Sequence, residues 1–175
     1  MKQLILGGVR SGKSRLAEKL ALSLDKSVIY VATATVGDDE MADRIQSHKE
    51  SRPSDWGLVE ETLSLGAVID ASPNENTCLL IDCLTLWMTN LLCKDDPQRL
   101  EDEIASFLRA LANTQADIIM VSNETGLGVV PMGELSRQFC DRTGVLHQSV
   151  AEQCDRVVMT IAGLPQVLKG DEIEF

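Results

Sequence analysis

The octet Gly7-Gly8-Val9-Arg10-Ser11-Gly12-Lys13-Ser14 carries phosphate chemistry. It matches G-x-x-x-x-G-K-[ST] at every fixed position. Glycines in such a loop permit backbone angles and close approaches that a Cβ obstructs. Successive loop N–H groups, continued by the N-terminus of the next helix, surround an anion with donors. Lys13 supplies a point charge at the β- and γ-phosphates, and Ser14 offers a hydroxyl to Mg2+. The context fits: Leu4-Ile5-Leu6 reads as a buried strand before the loop, and Arg15 to Leu22 is a strong helix former after it. The loop predicts binding of a nucleoside triphosphate.

Other residues have chemistry of their own. The run Thr77-Cys78-Leu79-Leu80-Ile81-Asp82 reads as a strand ending in a carboxylate. Beside a phosphate loop, Asp82 can hold Mg2+ or its waters. A helix is predicted from Asp38 or Asp39 to about Ser51, with Pro53 just beyond it. On that helix Met41, Ile45 and His48 share a face, and Lys49 and Arg52 gather at the carboxyl end. Periodicity leaves His48 open as a nucleophile or a surface imidazole, and Lys49 and Arg52 as phosphate ligands or solvated charges. The strand Asp117 to Ser122 ends in Asn123-Glu124 before a glycine loop; the pair can orient a hydroxyl, act as a base, or simply cap. Trp56 and Trp87 are expected in the core. His147 receives no role from the sequence. The cysteines Cys78, Cys83, Cys93, Cys140 and Cys154 include no C-x-x-C pair and are expected to be reduced, mostly buried thiols.

These groups need elements to hold them. Strands are expected at 3–6, 27–32, 77–82, 117–122 and 156–161, with a short final edge strand at 166–168. Helices are expected at 13–24, 60–71, 84–93, 98–113, 133–142 and 145–154. Strict alternation predicts a three-layer α/β fold, a mainly parallel sheet with helices on both faces. Ligands then sit beyond the carboxyl ends of the strands. The chain reads as one domain over 1–170, with 171–175 a frayed acidic tail.

The 175 residues carry a formal charge of −11. That balance argues against nonspecific nucleic-acid or anionic-membrane binding. No apolar run is long enough to span a bilayer, and because the first residues lead directly into a strand no signal peptide is expected. Aromatic residues make up only 3%, so Leu, Ile, Val, Ala and Met must build the core.

Together the segments resemble the bifunctional adenosylcobinamide kinase/adenosylcobinamide-phosphate guanylyltransferases of cobalamin biosynthesis. The resemblance rests on the octet, on Tyr30-Val31-Ala32-Thr33-Ala34, and on Asp38-Asp39-Glu40-Met41 through His48-Lys49 to Arg52-Pro53 and Trp56. It continues in Asp82-Cys83-Leu84-Thr85-Leu86-Trp87 with Thr89-Asn90-Leu91-Leu92, Ser122-Asn123-Glu124 through Pro131, and Arg137-Gln138-Phe139-Cys140-Asp141 through Gly144. It implies a RecA-like P-loop sheet and two reactions. The γ-phosphate of ATP or GTP passes to the hydroxyl of adenosylcobinamide. GTP then guanylylates a histidine, and GMP moves from it to adenosylcobinamide phosphate.

By position, the resemblance makes His48 the guanylylated nucleophile. It places Gly7, Gly8, Val9, Arg10, Ser11, Gly12, Lys13 and Ser14 at the nucleotide, with Ala32, Thr33, Ala34, Lys49, Glu50, Ser51, Arg52, Glu60 and Asp82. Ser14 and Asp82 are the expected Mg2+ ligands. It further implies a cytoplasmic homotrimer. Two departures stand out: His147 lies where members often carry Asn, and Ser47 precedes a single His48 where some have paired histidines. The alternatives are a monofunctional small-molecule P-loop kinase and a nucleotide-binding regulator.

Overall fold

A computed structural model describes residues 1–35, 53–72 and 75–173. The helix expected from Asp38 or Asp39, with His48, Lys49, Glu50, Ser51 and Arg52, lies outside the described residues. Within them the strands are β1 (Lys2–Gly7), β2 (Ser27–Ala32), β3 (Gly57–Glu60), β4 (Thr77–Asp82), β5 (Asp117–Asn123), β6 (Arg156–Ile161) and β7 (Leu164–Lys169). The helices are α1 (Lys13–Leu22), α2 (Leu65–Asp70), α3 (Leu84–Leu92), α4 (Pro97–Asn113) and α5 (Glu134–Gln153). The strands form one sheet in the order β3-β2-β4-β5-β1-β6-β7, parallel except for β7 against β6.

The apolar runs explain this arrangement. β1, β4 and β5 are buried along nearly their whole length, as continuous hydrophobic strands of a sheet covered on both faces must be. Alternate side chains then feed two cores. Leu4, Leu6, Leu79, Ile81, Ile118 and Met120 pack with α2, α3, α4 and α5. Ile5, Leu80, Ile119 and Val121 pack with Leu16, Ala17 and Leu20 of α1 on the other side. Trp87 is fully buried, donates Nε1–H to the Leu63 carbonyl at 2.6 Å, and packs against Phe107 with ring centroids 5.0 Å apart. Trp56 packs at the margin of the α1 core.

Three elements differ from expectation. The helix expected at 60–71 is the shorter α2, preceded by strand β3, which ends at Glu60. β3 is an edge strand with little buried surface, so the register against β2 decides it, not its own pattern. The Glu61 carboxylate accepts N–H bonds from Leu63 and Ser64 and stops the chain just before α2. The two helices expected at 133–142 and 145–154 are one continuous helix. Gly144 weakens a helix by only about 1 kcal/mol, and buried Thr143, Leu146, His147 and Val150 hold the turns on either side. Last, β7 begins at Leu164, because Ala162 and Gly163 take left-handed angles and form the turn. At the acidic end, Ile173 packs at the edge of the α1 core and the Glu172 carbonyl accepts from Arg156.

The α2–α4 contact depends on a missing side chain. A Cβ on Gly66 would lie 2.5 Å from Ser106 Oγ and 2.8 Å from the Ser106 carbonyl carbon. Gly66→Ala is therefore expected to lower stability by about 1–3 kcal/mol through overpacking, read as a thermal midpoint lower by several degrees.

Candidate active site

Adjacent strands β1 and β5 send their helices to opposite faces of the sheet. α1 leaves β1 toward one core and α5 follows β5 on the other. Divergence of this kind opens a crevice beyond the carboxyl ends of the two strands. The parallel registers bring several predicted residues level there. Gly7 stands opposite Asn123 and Thr160, Asp82 opposite Val121 and Ala32, and Ala32 opposite Glu60. Glu60 itself is exposed at the sheet's edge.

The octet fills the β1 end of this crevice. At Gly7 a Cβ would lie 2.4 Å from the Thr160 carbonyl and 2.6 Å from Ser11 Oγ. Gly12 has φ 98° and would press a Cβ to 3.2 Å from Gly163. At Gly8 a Cβ would meet no protein atom within 4 Å. Two bonds brace the loop: Gly163 N–H donates to the Ser11 carbonyl at 2.9 Å, and Glu124 N–H to the Gly7 carbonyl at 3.0 Å. Val9 is 72% exposed at the loop's tip, and Arg10 beside it takes a left-handed φ of 54°. Ser11 Oγ and Thr160 Oγ1 are buried beneath it without a partner among the described residues.

Lys13 is buried in the first turn of α1, and its ammonium donates to the Gly8 carbonyl at 2.6 Å. Burial pulls its pKa down, opposed by the nearby Asp82 and Cys83. The chain thus holds a positive charge in its own anion cradle, ready to exchange a carbonyl for a phosphate oxygen. Asp82 is half-buried at the end of β4 and accepts from Tyr30 OH at 3.1 Å on one oxygen. Ser14, also half-buried, occupies the first turn of α1. A hydroxyl and a carboxylate beside bound phosphates are hard oxygen donors of the kind Mg2+ takes.

Thr33 has a structural task at this end of the sheet. It is fully buried, and its hydroxyl donates to the Cys83 carbonyl and accepts from Cys83 N–H, both at 2.8 Å. It therefore welds the end of β2 to the end of β4. Asn90 extends the weld, donating to the carbonyls of Thr33 and Thr62. Ala32 and Ala34 flank Thr33, half-buried.

The structure also gathers residues to which the sequence gave no joint role. His147, 7% exposed on α5, places Nε2 2.7 Å from the Oγ of fully buried Ser122. Its Nδ1 faces a Glu124 carboxylate oxygen at 3.9 Å. Burial lowers its pKa, with Glu124 pulling the other way. The only available signal was the i, i+4 spacing of Thr143 and His147 on a face that the sequence had split between two helices. All five cysteines are free. Burial pushes the thiols of Cys78 and Cys154 up to about 12 and that of Cys83 to about 11. No cluster of three or more metal-ligating side chains occurs among the described residues.

Comparison with known proteins agrees with this arrangement. The family model described as cobinamide kinase / cobinamide phosphate guanyltransferase matches residues 3–168. A Pseudomonas aeruginosa protein named bifunctional adenosylcobalamin biosynthesis protein CobP is 55% identical over 173 residues, covering 99% of this chain and 100% of that one. An Escherichia coli protein named bifunctional adenosylcobalamin biosynthesis protein CobU is 37% identical over 182 residues, covering 97% and 100%. Among solved structures, the RadB recombinase aligns with a TM-score of 0.54 at 17% identity, over 90% of this chain and 73% of that one. An ATPase from a type III secretion system aligns with a TM-score of 0.56 at 11% identity, over 90% and 51%. These last two likenesses speak for the fold alone, a RecA-like P-loop sheet. On the family match and the full-length relatives, the chain belongs to the cobinamide kinase / cobinamide phosphate guanyltransferase family.

Proposed function

We propose that this chain performs two successive transfers in the assembly of adenosylcobalamin. The γ-phosphate of ATP or GTP first goes to the hydroxyl of adenosylcobinamide. GMP from GTP then passes through a guanylylated His48 to adenosylcobinamide phosphate, giving adenosylcobinamide-GDP. The observation that carries this reading is the braced phosphate loop, with Lys13 inside it and Asp82 across the crevice, in a chain that matches the family over residues 3–168.

Each residue then has a part. The loop N–H groups from Gly8 to Ser14 hold the phosphates, and Lys13 exchanges the Gly8 carbonyl for a phosphate oxygen. Ser14 and Asp82 would hold Mg2+, which would offset the charge of the phosphates. Lys49, Glu50, Ser51, Arg52, Glu60 and the Ala32–Ala34 stretch line the nucleotide. A neutral imidazole at His48 attacks the α-phosphate, and the phosphoramidate divides one awkward transfer into two displacements.

A homotrimer in the cytoplasm is part of the same proposal. Val129 is 95% exposed and Met132 97%, with Leu127, Val130 and Leu135 exposed around them. A contiguous apolar loop of that kind marks an interface, and a second copy of the chain is the proposed occupant. No helix among the described residues is long and apolar enough to cross a membrane.

Two predictions follow from these assignments. Intact-mass and peptide spectrometry after incubation with GTP and Mg2+ should find a GMP adduct on His48, and His48→Ala should abolish it. An adduct formed equally well by His48→Ala would refute the nucleophile; phosphorylation of adenosylcobinamide with no adduct would leave a monofunctional kinase. By light scattering the wild-type chain should run as a trimer, and Val129→Asp with Met132→Asp should shift it to monomer while leaving its circular dichroism unchanged.

A further inference from the structure

The side chains of Ser122, Glu124 and His147 form a cluster that neither the phosphate loop nor the guanylylation step uses. Its place is set by the sheet. β5 lies between β1 and β4, so Glu124 emerges between the phosphate loop and Asp82, with its N–H bonded to Gly7. Its two carboxylate oxygens have different surroundings. Oε1 accepts the Gly126 N–H, which a capping role would explain. Capping leaves Oε2 unexplained, and Oε2 is the oxygen that faces His147 Nδ1.

Ser122 explains the orientation of the ring. Its hydroxyl is fully buried and meets His147 Nε2 at 2.7 Å. A serine that donates to Nε2 leaves the imidazole's one proton on Nδ1, pointing at the carboxylate. We assign the tautomer from these contacts. The result is an ordered row in which Ser122 fixes the His147 ring and Nδ1 is turned toward Glu124 Oε2. The carboxylate keeps partial access to solvent.

The two half-reactions differ in whether they require a base. An alcohol that attacks phosphorus must lose its proton, whereas an imidazole lone pair or a phosphate oxyanion attacks without one. We propose that Glu124 is the base of the phosphoryl-transfer half-reaction, with His147 as its positioning residue. This rests on the function proposed above. In the step, the acceptor oxygen bonds to the γ-phosphorus as its proton passes to Glu124 Oε2. The bond from the γ-phosphorus to the β,γ-bridging oxygen breaks, and the nucleoside diphosphate leaves with that electron pair. Glu124 then returns the proton to solvent.

The experiment separates the half-reactions in one protein. With the full chain, phosphorylation of adenosylcobinamide is followed with γ-labelled ATP and GTP, and the GMP adduct with α-labelled GTP. Glu124→Gln should lower kcat for phosphorylation by about 10²–10⁴-fold, with KM for the nucleotide and the yield of GMP adduct unchanged. His147→Ala should cost roughly 10²-fold in the same kcat through misplacement of the carboxylate. His147→Asn, which restores an N–H donor toward Glu124, should recover most of it. A Glu124→Gln variant with a wild-type phosphorylation rate, or one that loses both half-reactions equally, overturns the proposal. Wild-type chain run alongside keeps the two readings apart, because its own failure to phosphorylate the corrinoid overturns the functional reading instead.

Discussion

The position of β1, paired in parallel with β5 on one side and β6 on the other, is the constraint on which the rest depends. β1 and β5 release their helices to opposite faces, so no helix can close over the gap between their carboxyl ends. The phosphate loop must turn within that gap, over the backbone of β6. Only a residue without a Cβ fits at Gly7, where the Thr160 carbonyl would stand 2.4 Å away. The β6–β7 turn then supports the loop from below through Gly163, and β5 supports it from the side through Glu124.

Charge is organised against the overall balance of the molecule. A chain at −11 repels the polyanion it has to bind. The remedy is local: Lys13 is kept in a buried site beside Asp82, where its charge is little screened, and the backbone donors of the loop add partial positive charge without any side chain. The neutral state favoured at His147 follows the same logic. Burial withholds a second proton, so the ring can present one donor to a carboxylate without neutralising it.

Much of the fold was legible because its central strands are continuous apolar runs and its glycines punctuate them. β1, β2, β4, β5 and β6 were all evident from such runs, and so was the helix α4, whose start the Asp96 carboxylate caps by accepting from Arg99 N–H. β3 was not legible, since an exposed edge strand has no pattern of its own and takes its identity from pairing with β2. The unbroken α5 was missed for a related reason. Gly144 signals a break locally, but tertiary burial of Thr143 and His147 outweighs a penalty of about 1 kcal/mol. At the site, the octet and Asp82 could be read from residue types alone, whereas the weld that Thr33 makes between two strand ends could not, because its partner Cys83 lies 50 residues further along the chain.

By itself the sequence determined the ligand class and the family. A loop with glycines, lysine and serine at fixed spacing is a local object, and its chemistry travels with it. The tertiary structure alone decided what stands across from that loop. Ser122 on β5 and Glu124 just beyond it are separated from His147 on α5 by more than twenty residues of chain, and no periodicity links them. They meet because α5 packs back over the face that β5 helps to form, bringing an imidazole within 2.7 Å of a buried hydroxyl. Spacing fixes groups that lie within one loop or one helix, but groups on separate elements acquire a common chemistry only when the core closes between them.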